Sequence, residues 1–242
     1  ELMAEIKRNT RQFVMPVCKW ETVVREGDGN AEDVFDRQGT DWIDHVPEWA
    51  AYHVVSMGPI EKVSADNILD LQVQDQESLF LNIRQCLVGD DLTLRVACVH
   101  CLEQAGIKLN LDDVKFTGLP ADAEGERPTF KVQLPRSGWE CEFGYINGRQ
   151  EMAAVEKISR GVQDAIALLF ESIIQLGPYR QGVDLKLRHL RELVTMDRAV
   201  LRGAFDEKHC GYDTRYRWRC KYCEKPNITN ILSQKGFFVP TV

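Results

Sequence analysis

Two Cys-x-x-Cys pairs, Cys98-Val-His-Cys101 and Cys220-Lys-Tyr-Cys223, constrain this chain more than any other feature. Each follows an alternating, strand-like approach: Leu92-Thr-Leu-Arg-Val-Ala before the first, Arg215-Tyr-Arg-Trp-Arg before the second. A Cys-x-x-Cys turn sets two thiolates side by side on a tight loop. Two such turns supply the four soft ligands of a closed tetrahedral Zn2+ site. We therefore expect one structural zinc, held by Cys98, Cys101, Cys220 and Cys223 and shared by distant parts of the chain. A four-cysteine site keeps no open coordination position, so its role is structural and not catalytic. Unligated or disulfide-bonded cysteines are the alternative. A redox pair fits less well, because it belongs at a helix N-terminus where the dipole lowers a thiol pKa, and both pairs here end strand patterns. His100 sits inside the first pair and is expected to face solvent, not to ligate.

The remaining cysteines are scattered. Cys18, Cys86 and Cys141 read as small buried hydrophobes. Cys210, next to His209 and ten residues before Cys220, is the one plausible spare ligand. No signal peptide is visible, and without one, Cys-x-x-Cys pairs point to a metal before a disulfide framework. Apolar runs such as Ala165-Ile-Ala-Leu-Leu-Phe170 are far shorter than the roughly 20 residues that a bilayer span needs. With 44% apolar and 28% charged residues, the 242-residue chain reads as globular. A net charge of −7 argues against wholesale nucleic-acid binding.

The chain repeats itself. Pro16 and Trp20 match Pro135 and Trp139 at an offset of 119 residues, and Gly58-Pro59 matches Gly177-Pro178 at the same offset. Beyond that point the offset becomes 122: Asp75 matches Asp197, Gly89 and Asp91 match Gly211 and Asp213, and the two cysteine pairs coincide. These landmarks point to an ancient duplication whose halves each present one cysteine pair at their junction. Between them, Gly118-Leu-Pro-Ala-Asp-Ala-Glu-Gly-Glu-Arg-Pro128 reads as a linker, giving lobes over residues 1–117 and 129–242.

Each half opens with strands around a Pro turn: Gln12-Phe-Val-Met and Trp20-Glu-Thr-Val-Val, then Thr129-Phe-Lys-Val-Gln-Leu and Trp139-Glu-Cys-Glu-Phe. Helices follow, expected over 31–38, 48–57, 64–71 and 75–87 in the first half. In the second, Asn147 with Gln150 opens one long helix ending at Gly177-Pro178, and another spans 184–205. Ile107-Lys-Leu-Asn-Leu reads as a strand after the first pair, and Ile228-Thr-Asn-Ile-Leu continues from the second to the apolar tail Phe237-Phe-Val-Pro. The fold expected is α+β: two similar lobes, each a small sheet with helices and a zinc-ribbon-like turn.

No G-x-S-x-G, H-E-x-x-H or P-loop is present, and the five histidines lack metal-ligand spacing. The chain therefore reads as a non-enzyme, with no small-molecule substrate and no membrane partner. A competing reading rests on residues 202–225, where Arg202, Lys208, Arg215, Arg217, Arg219, Lys221 and Lys225 interleave with Tyr212, Tyr216, Trp218 and Tyr222. A zinc-ribbon face of that kind binds single-stranded nucleic acid. Asp206, Glu207, Asp213 and Glu224 dilute its charge, and a strand with one packed and one solvated face explains the same pattern.

Leu134-Pro135-Arg-Ser-Gly138 between strands, then Asn147-Gly-Arg-Gln-Glu151 opening a helix, resembles the second half of the T-even-type baseplate hub proteins of contractile-tailed bacteriophages. The ending is similar too: Gly211-Tyr-Asp213, a strand into Cys220-x-x-Cys223, then Phe237-Phe238-Val-Pro. Cys98-x-x-Cys101 followed by a strand also fits, whereas Val34-Phe-Asp-Arg-Gln-Gly-Thr-Asp-Trp42 has no counterpart in the resemblance. The resemblance implies a virion tail or baseplate component, or an assembly factor for one. It would be made in the host cytoplasm and dock on other tail proteins through strand edges and the apolar tail.

Overall fold

The computed structural model describes residues 8–36 and 41–239. Strands β1 (Thr10–Val14) and β2 (Glu21–Arg25) form an antiparallel hairpin around the Pro16 turn. After the short helices α1 (Gly29–Glu32) and α2 (Val46–His53), β3 (Val54–Met57) joins the other edge of β2. Helices α3 (Ala65–Leu69) and α4 (Val73–Val88) lead to a separate hairpin, β4 (Asp91–Ala97) with β5 (Gln104–Asn110), and the two-residue strand β6 (Phe116–Thr117).

The second half runs in a similar order. Strands β7 (Thr129–Gln133) and β8 (Glu140–Gly144) precede α5 (Gly148–Ser159) and α6 (Asp164–Ser172). Then β9 (Ile173–Leu176) pairs with β8, and β10 (Tyr179–Arg180) folds back on it. Helices α7 (Leu187–Glu192) and α8 (Thr195–Glu207) lead to β11 (Gly211–Tyr212), which pairs with β6 across the halves. The hairpin β12 (Arg215–Arg219) with β13 (Pro226–Asn230) and the short helix α9 (Lys235–Phe238) complete a mixed helix and strand fold of several small sheets.

The two meander sheets share their register. Thr10 faces Arg25 as Thr129 faces Gly144, and Val24 faces Val54 as Phe143 faces Ile173, each pairing following an irregularity at the same place. Both turns are held by a buried carboxylate from a helix about 60 residues further along the chain. Asp75 on α4 accepts the Val17 and Cys18 amides at 2.8 and 3.0 Å, and Asp197 on α8 accepts the Arg136 and Ser137 amides at 2.8 and 2.9 Å. Two amides on one carboxylate are charge-assisted bonds that lock the turn against the helix. The glycines after β3 and β9 also correspond. Gly58 (φ +51°) lies under Trp20 and Gly177 (φ +53°) under Trp139, and a Cβ on either would meet an indole atom at 2.6 Å. Gly58→Ala and Gly177→Ala should each cost about 2 kcal/mol or more, from backbone strain plus overlap; urea unfolding of the two variants measures it.

Several helices end earlier than periodicity suggests. The 48–57 pattern stops at His53, and the long second-half helix breaks at Gly161 (φ +86°), restarts at Asp164 and ends at Ser172. Val54-Val55 and Ile173-Ile174 are β-branched pairs. Docking them beside an existing strand outweighs a weak helical preference. The 184–205 pattern is likewise two helices, α7 and α8, separated at Leu193-Val194. The 31–38 pattern resolves into α1 and a 3-10 turn, Asp33–Asp36, while residues 37–40 lie outside the described residues. By contrast, α5 opens with the expected capping box, Asn147 with Gln150.

Two apolar clusters organise the packing. Phe130, Phe143, Leu169, Ile173 and Leu201 pack together within the second half. The first-half cluster holds Trp49, Met57, Leu79, Leu94 and Ile107, and it also recruits Trp218, Ile231, Phe237 and Phe238 from the far end of the chain. Phe238 stands 5.1 Å from Trp49 and 5.7 Å from Phe80, ring centre to ring centre. The tail phenylalanines, expected to dock on partners, are thus spent internally. Burying them contributes about 1.5–3 kcal/mol apiece, which outcompetes leaving them exposed for a neighbour.

Where β11 crosses to the first half, the Tyr212 amide donates to Glu77 on α4 at 3.4 Å. Burial pushes the Glu77 carboxyl up to about 7, against the pull of that amide and with the added repulsion of Glu151. A folded pKa above the unfolded value means that this contribution to stability is fully present below about 4.5 and is lost as pH rises through about 7. Glu77 should contribute a loss of up to about 1.4 kcal/mol per pH unit across that window. Glu77→Gln should flatten the slope in urea titrations at stepped pH.

Candidate metal centre

The hairpins β4–β5 and β12–β13 each close through a knuckle of the same construction. In the first, the Cys98 amide donates to the Glu103 carbonyl and the Leu102 amide to the Cys98 carbonyl, at 3.0 and 2.9 Å. In the second, Cys220 to Lys225 and Glu224 to Cys220 repeat the pattern at 3.0 and 2.8 Å. The turn needs one left-handed residue, taken by Leu102 (φ +62°) and Glu224 (φ +59°) although neither is glycine. An amide two residues on points at the first sulfur of each pair, His100 to Cys98 and Tyr222 to Cys220, both at 3.4 Å. Such N–H···S bonds stabilise a thiolate.

The fold brings the knuckles face to face. Cys98 Sγ lies 3.6 Å from Cys223 Sγ, Cys101 Sγ lies 3.7 Å from Cys220 Sγ, and all four sulfurs lie within 4.8 Å of one another. Zn–S bonds of about 2.3 Å in a tetrahedron place sulfurs about 3.8 Å apart, so the spacing fits a four-thiolate zinc, whereas a disulfide needs about 2.05 Å. Among the described residues this is the one cluster of three or more such ligands. Cys98 and Cys220 are buried, and Cys101 and Cys223 are half-buried.

The four thiols act on one another's ionisation. Burial opposes ionisation of Cys98, but the His100 and Cys101 amides, the Asn227 side chain and the Cys223 thiol together pull it down to about 6. At Cys101 the Glu103 amide acts to lower the thiol, but burial and the neighbouring thiols Cys220, Cys223 and Cys98 push it up to about 12. Several thiolates in van der Waals contact repel, so only a bound cation lets all four ionise.

Two ties between the knuckles were not legible beforehand. Asn227 is buried, accepts the Val99 amide at 3.1 Å and donates to the Lys225 carbonyl at 3.0 Å, bridging both turns. His100 is exposed, yet its Nε2 stands 3.1 Å from the Pro226 carbonyl across the junction. An asparagine and a histidine carry no spacing signal of their own, and only the facing hairpins give them partners. Cys18, Cys86, Cys141 and Cys210 are buried outside the cluster. Burial raises Cys210 while its Tyr145 contact lowers it, and the net shift is upward.

On β12, Arg215, Arg217 and Arg219 share an exposed face, while Trp218 is buried and donates to Thr229 Oγ1 at 2.9 Å. The Tyr216 hydroxyl donates to the Lys108 carbonyl on β5. Tyr222 remains exposed, with the Lys221 ammonium 4.9 Å from its ring centre. No helix is long and apolar enough to cross a membrane, among the described residues.

The protein is thus a small mixed-fold chain whose paired knuckles bring together four cysteines that could hold a metal ion. The chain belongs to the family described as T4 bacteriophage base plate protein, whose profile matches residues 59–238, about three quarters of its length. This makes it a phage baseplate protein of the T4 type and a component of the virion tail. A structural role among other tail proteins follows from that membership. No curated protein and no solved structure matches it.

Proposed function

We propose that this chain is a structural or assembly component of the hub of a contractile-tail baseplate, docking on other tail proteins and stapled by one structural zinc. The observation that carries the proposal is the convergence of Cys98, Cys101, Cys220 and Cys223 from two hairpins far apart in sequence, at the spacing of a tetrahedral thiolate site. When bound, the metal would cross-link the hairpins and add folding free energy, with no open position for substrate. We read the hairpins as zinc-ribbon elements, and the chain as a duplication with units 1–117 and 129–242 joined by 118–128. The shared sheet register and the paired Asp75 and Asp197 turns support that reading. In space the second unit's hairpin and tail pack on the first unit's core, so the staple and the apolar seam act at the same junction.

Protein neighbours are the partners we propose, in preference to nucleic acid, because Trp218 is packed inward and gives no stacking platform beside the arginines. Metal analysis of the purified chain should return about one zinc per polypeptide, as one four-thiolate site requires. Two ions, or none from protein purified under reducing, chelator-free conditions, would overturn the shared site. Its presence in purified baseplates or their assembly intermediates tests the docking role.

A further inference from the structure

The two equivalent turn surfaces differ in what covers them. In the first half the 118–128 linker lies over the turn: the Trp20 indole N–H donates to Glu126 Oε1 at 2.9 Å, and Gln72 Nε2 donates to the Glu126 carbonyl at 3.4 Å. The first amide of α4, Val73, is taken by the Ile146 carbonyl at 3.0 Å. Gln72 is consequently 5% exposed. Its second-half counterpart, Val194, is 52% exposed and lines a cavity of about 200 Å3 with Arg136, Trp139, Tyr179, His189 and Leu193. Among the described residues, no acceptor engages the Trp139 indole N–H and no backbone carbonyl from another element caps Thr195. Val194 itself supplies no side-chain cap to α8.

We infer that the slot over Trp139 docks an extended, acidic segment of a neighbouring baseplate protein. The segment combines the two contacts seen on the first half: a carboxylate meets the indole N–H as Glu126 of the linker meets Trp20, a backbone carbonyl meets the first amide of α8 as the Ile146 carbonyl, from the β8–α5 connection, meets Val73, and an apolar side chain covers Val194 and Met196. The helix N-terminus favours the incoming negative charge. Arg136 on the rim adds a cation that the first slot, with Val17 at that position, lacks. Glu192 also lines the cavity, while the Asp197 carboxylate is spent on the turn amides. The linker of a second copy is not available as the occupant, because each copy's Glu126 is already committed to its own Trp20. This inference rests on the duplicated, docking-component reading.

The test has two arms. A synthetic peptide of residues 120–129, the filler of the first slot, is titrated onto the purified full chain. It should shift the Trp139 indole N–H resonance, and Trp139→Phe or a Glu126→Gln peptide should weaken binding by about tenfold. No shift, or undiminished binding to Trp139→Phe, overturns the slot. In assembling particles, a photoreactive benzoylphenylalanine replacing Val194 should cross-link to an Asp- or Glu-bearing peptide of another baseplate protein. Val194→Glu should cut incorporation by about tenfold, with metal content and melting unchanged. Cross-links to a second copy or to nucleic acid, or normal incorporation of Val194→Glu, overturn the partner assignment while leaving the baseplate role intact. If wild-type protein is missing from baseplates and intermediates, the baseplate role itself fails, and the peptide arm still decides the slot.

Discussion

Replacing Cys98 and Cys101 together with serine should release the metal, lower the melting temperature by more than about 10 °C, and loosen both hairpins, not one. The two replaced cysteines sit on the β4–β5 turn and the other two, Cys220 and Cys223, on the β12–β13 turn, and the proposed zinc, left with two thiolates, would lose most of its affinity. Hydrogen exchange read residue by residue distinguishes the outcomes. Amides of Arg217 and Ile228, paired across the second hairpin, should exchange faster in the variant than in wild type. Protection lost only between Leu92 and Leu109 would mean that the hairpins are independent and that no shared metal joins them. The same loosening should spread to the packing of Trp218 against the first-half core, since Cys220 and Trp218 belong to one buried cluster.

Asp75→Ala should cost about 3–5 kcal/mol, and the matching Asp197→Ala distinctly less, when both are measured by urea unfolding. Each carboxylate accepts two turn amides, so the bonds removed are alike in number and geometry. Their surroundings differ. Val17 and Cys18 are 0% and 4% exposed, so the orphaned amides of the first turn have no water to turn to. Arg136 and Ser137 are exposed, and water replaces the lost acceptor. Burial raises the Asp75 carboxyl, with the two amides pulling it back. At Asp197 burial also acts to raise, but the amides and Ser137 outweigh it and hold the group below its ordinary range. The stability from Asp197 is therefore present above the unfolded pKa and lost as pH falls through the lower folded value. Equal costs for the two substitutions would show that solvent access to the turns is not what separates them.

The readable parts of the molecule were those whose physics is local. A Cys-x-x-Cys spacing brings two sulfurs to one turn whatever surrounds it, so the four cysteines that the structure gathers within 4.8 Å stand out in the sequence as candidate ligands. Asn147 with Gln150 caps α5 within four residues, and the Pro16 and Pro135 turns generate their hairpins from neighbours in sequence. Helix boundaries failed where a distant partner decided the outcome. Val54–Met57 and Ile173–Leu176 are strands because β2 and β8 offer them an edge, and nothing inside four residues records that edge. The tail phenylalanines look like free apolar surface until the Trp49 and Phe80 rings are in place around them.

By itself, then, the sequence determined the four sulfurs, the two turn-and-knuckle units and their common order, because each depends on spacing over a few residues. Tertiary structure alone decided that the sulfurs face one another, that Asn227 and His100 tie the knuckles, and that Glu126 closes the slot over Trp20 while the one over Trp139 stays open. Those outcomes depend on which distant surfaces meet. The landmark residues recur in both halves, so the residues between them and the surfaces they meet make the halves differ.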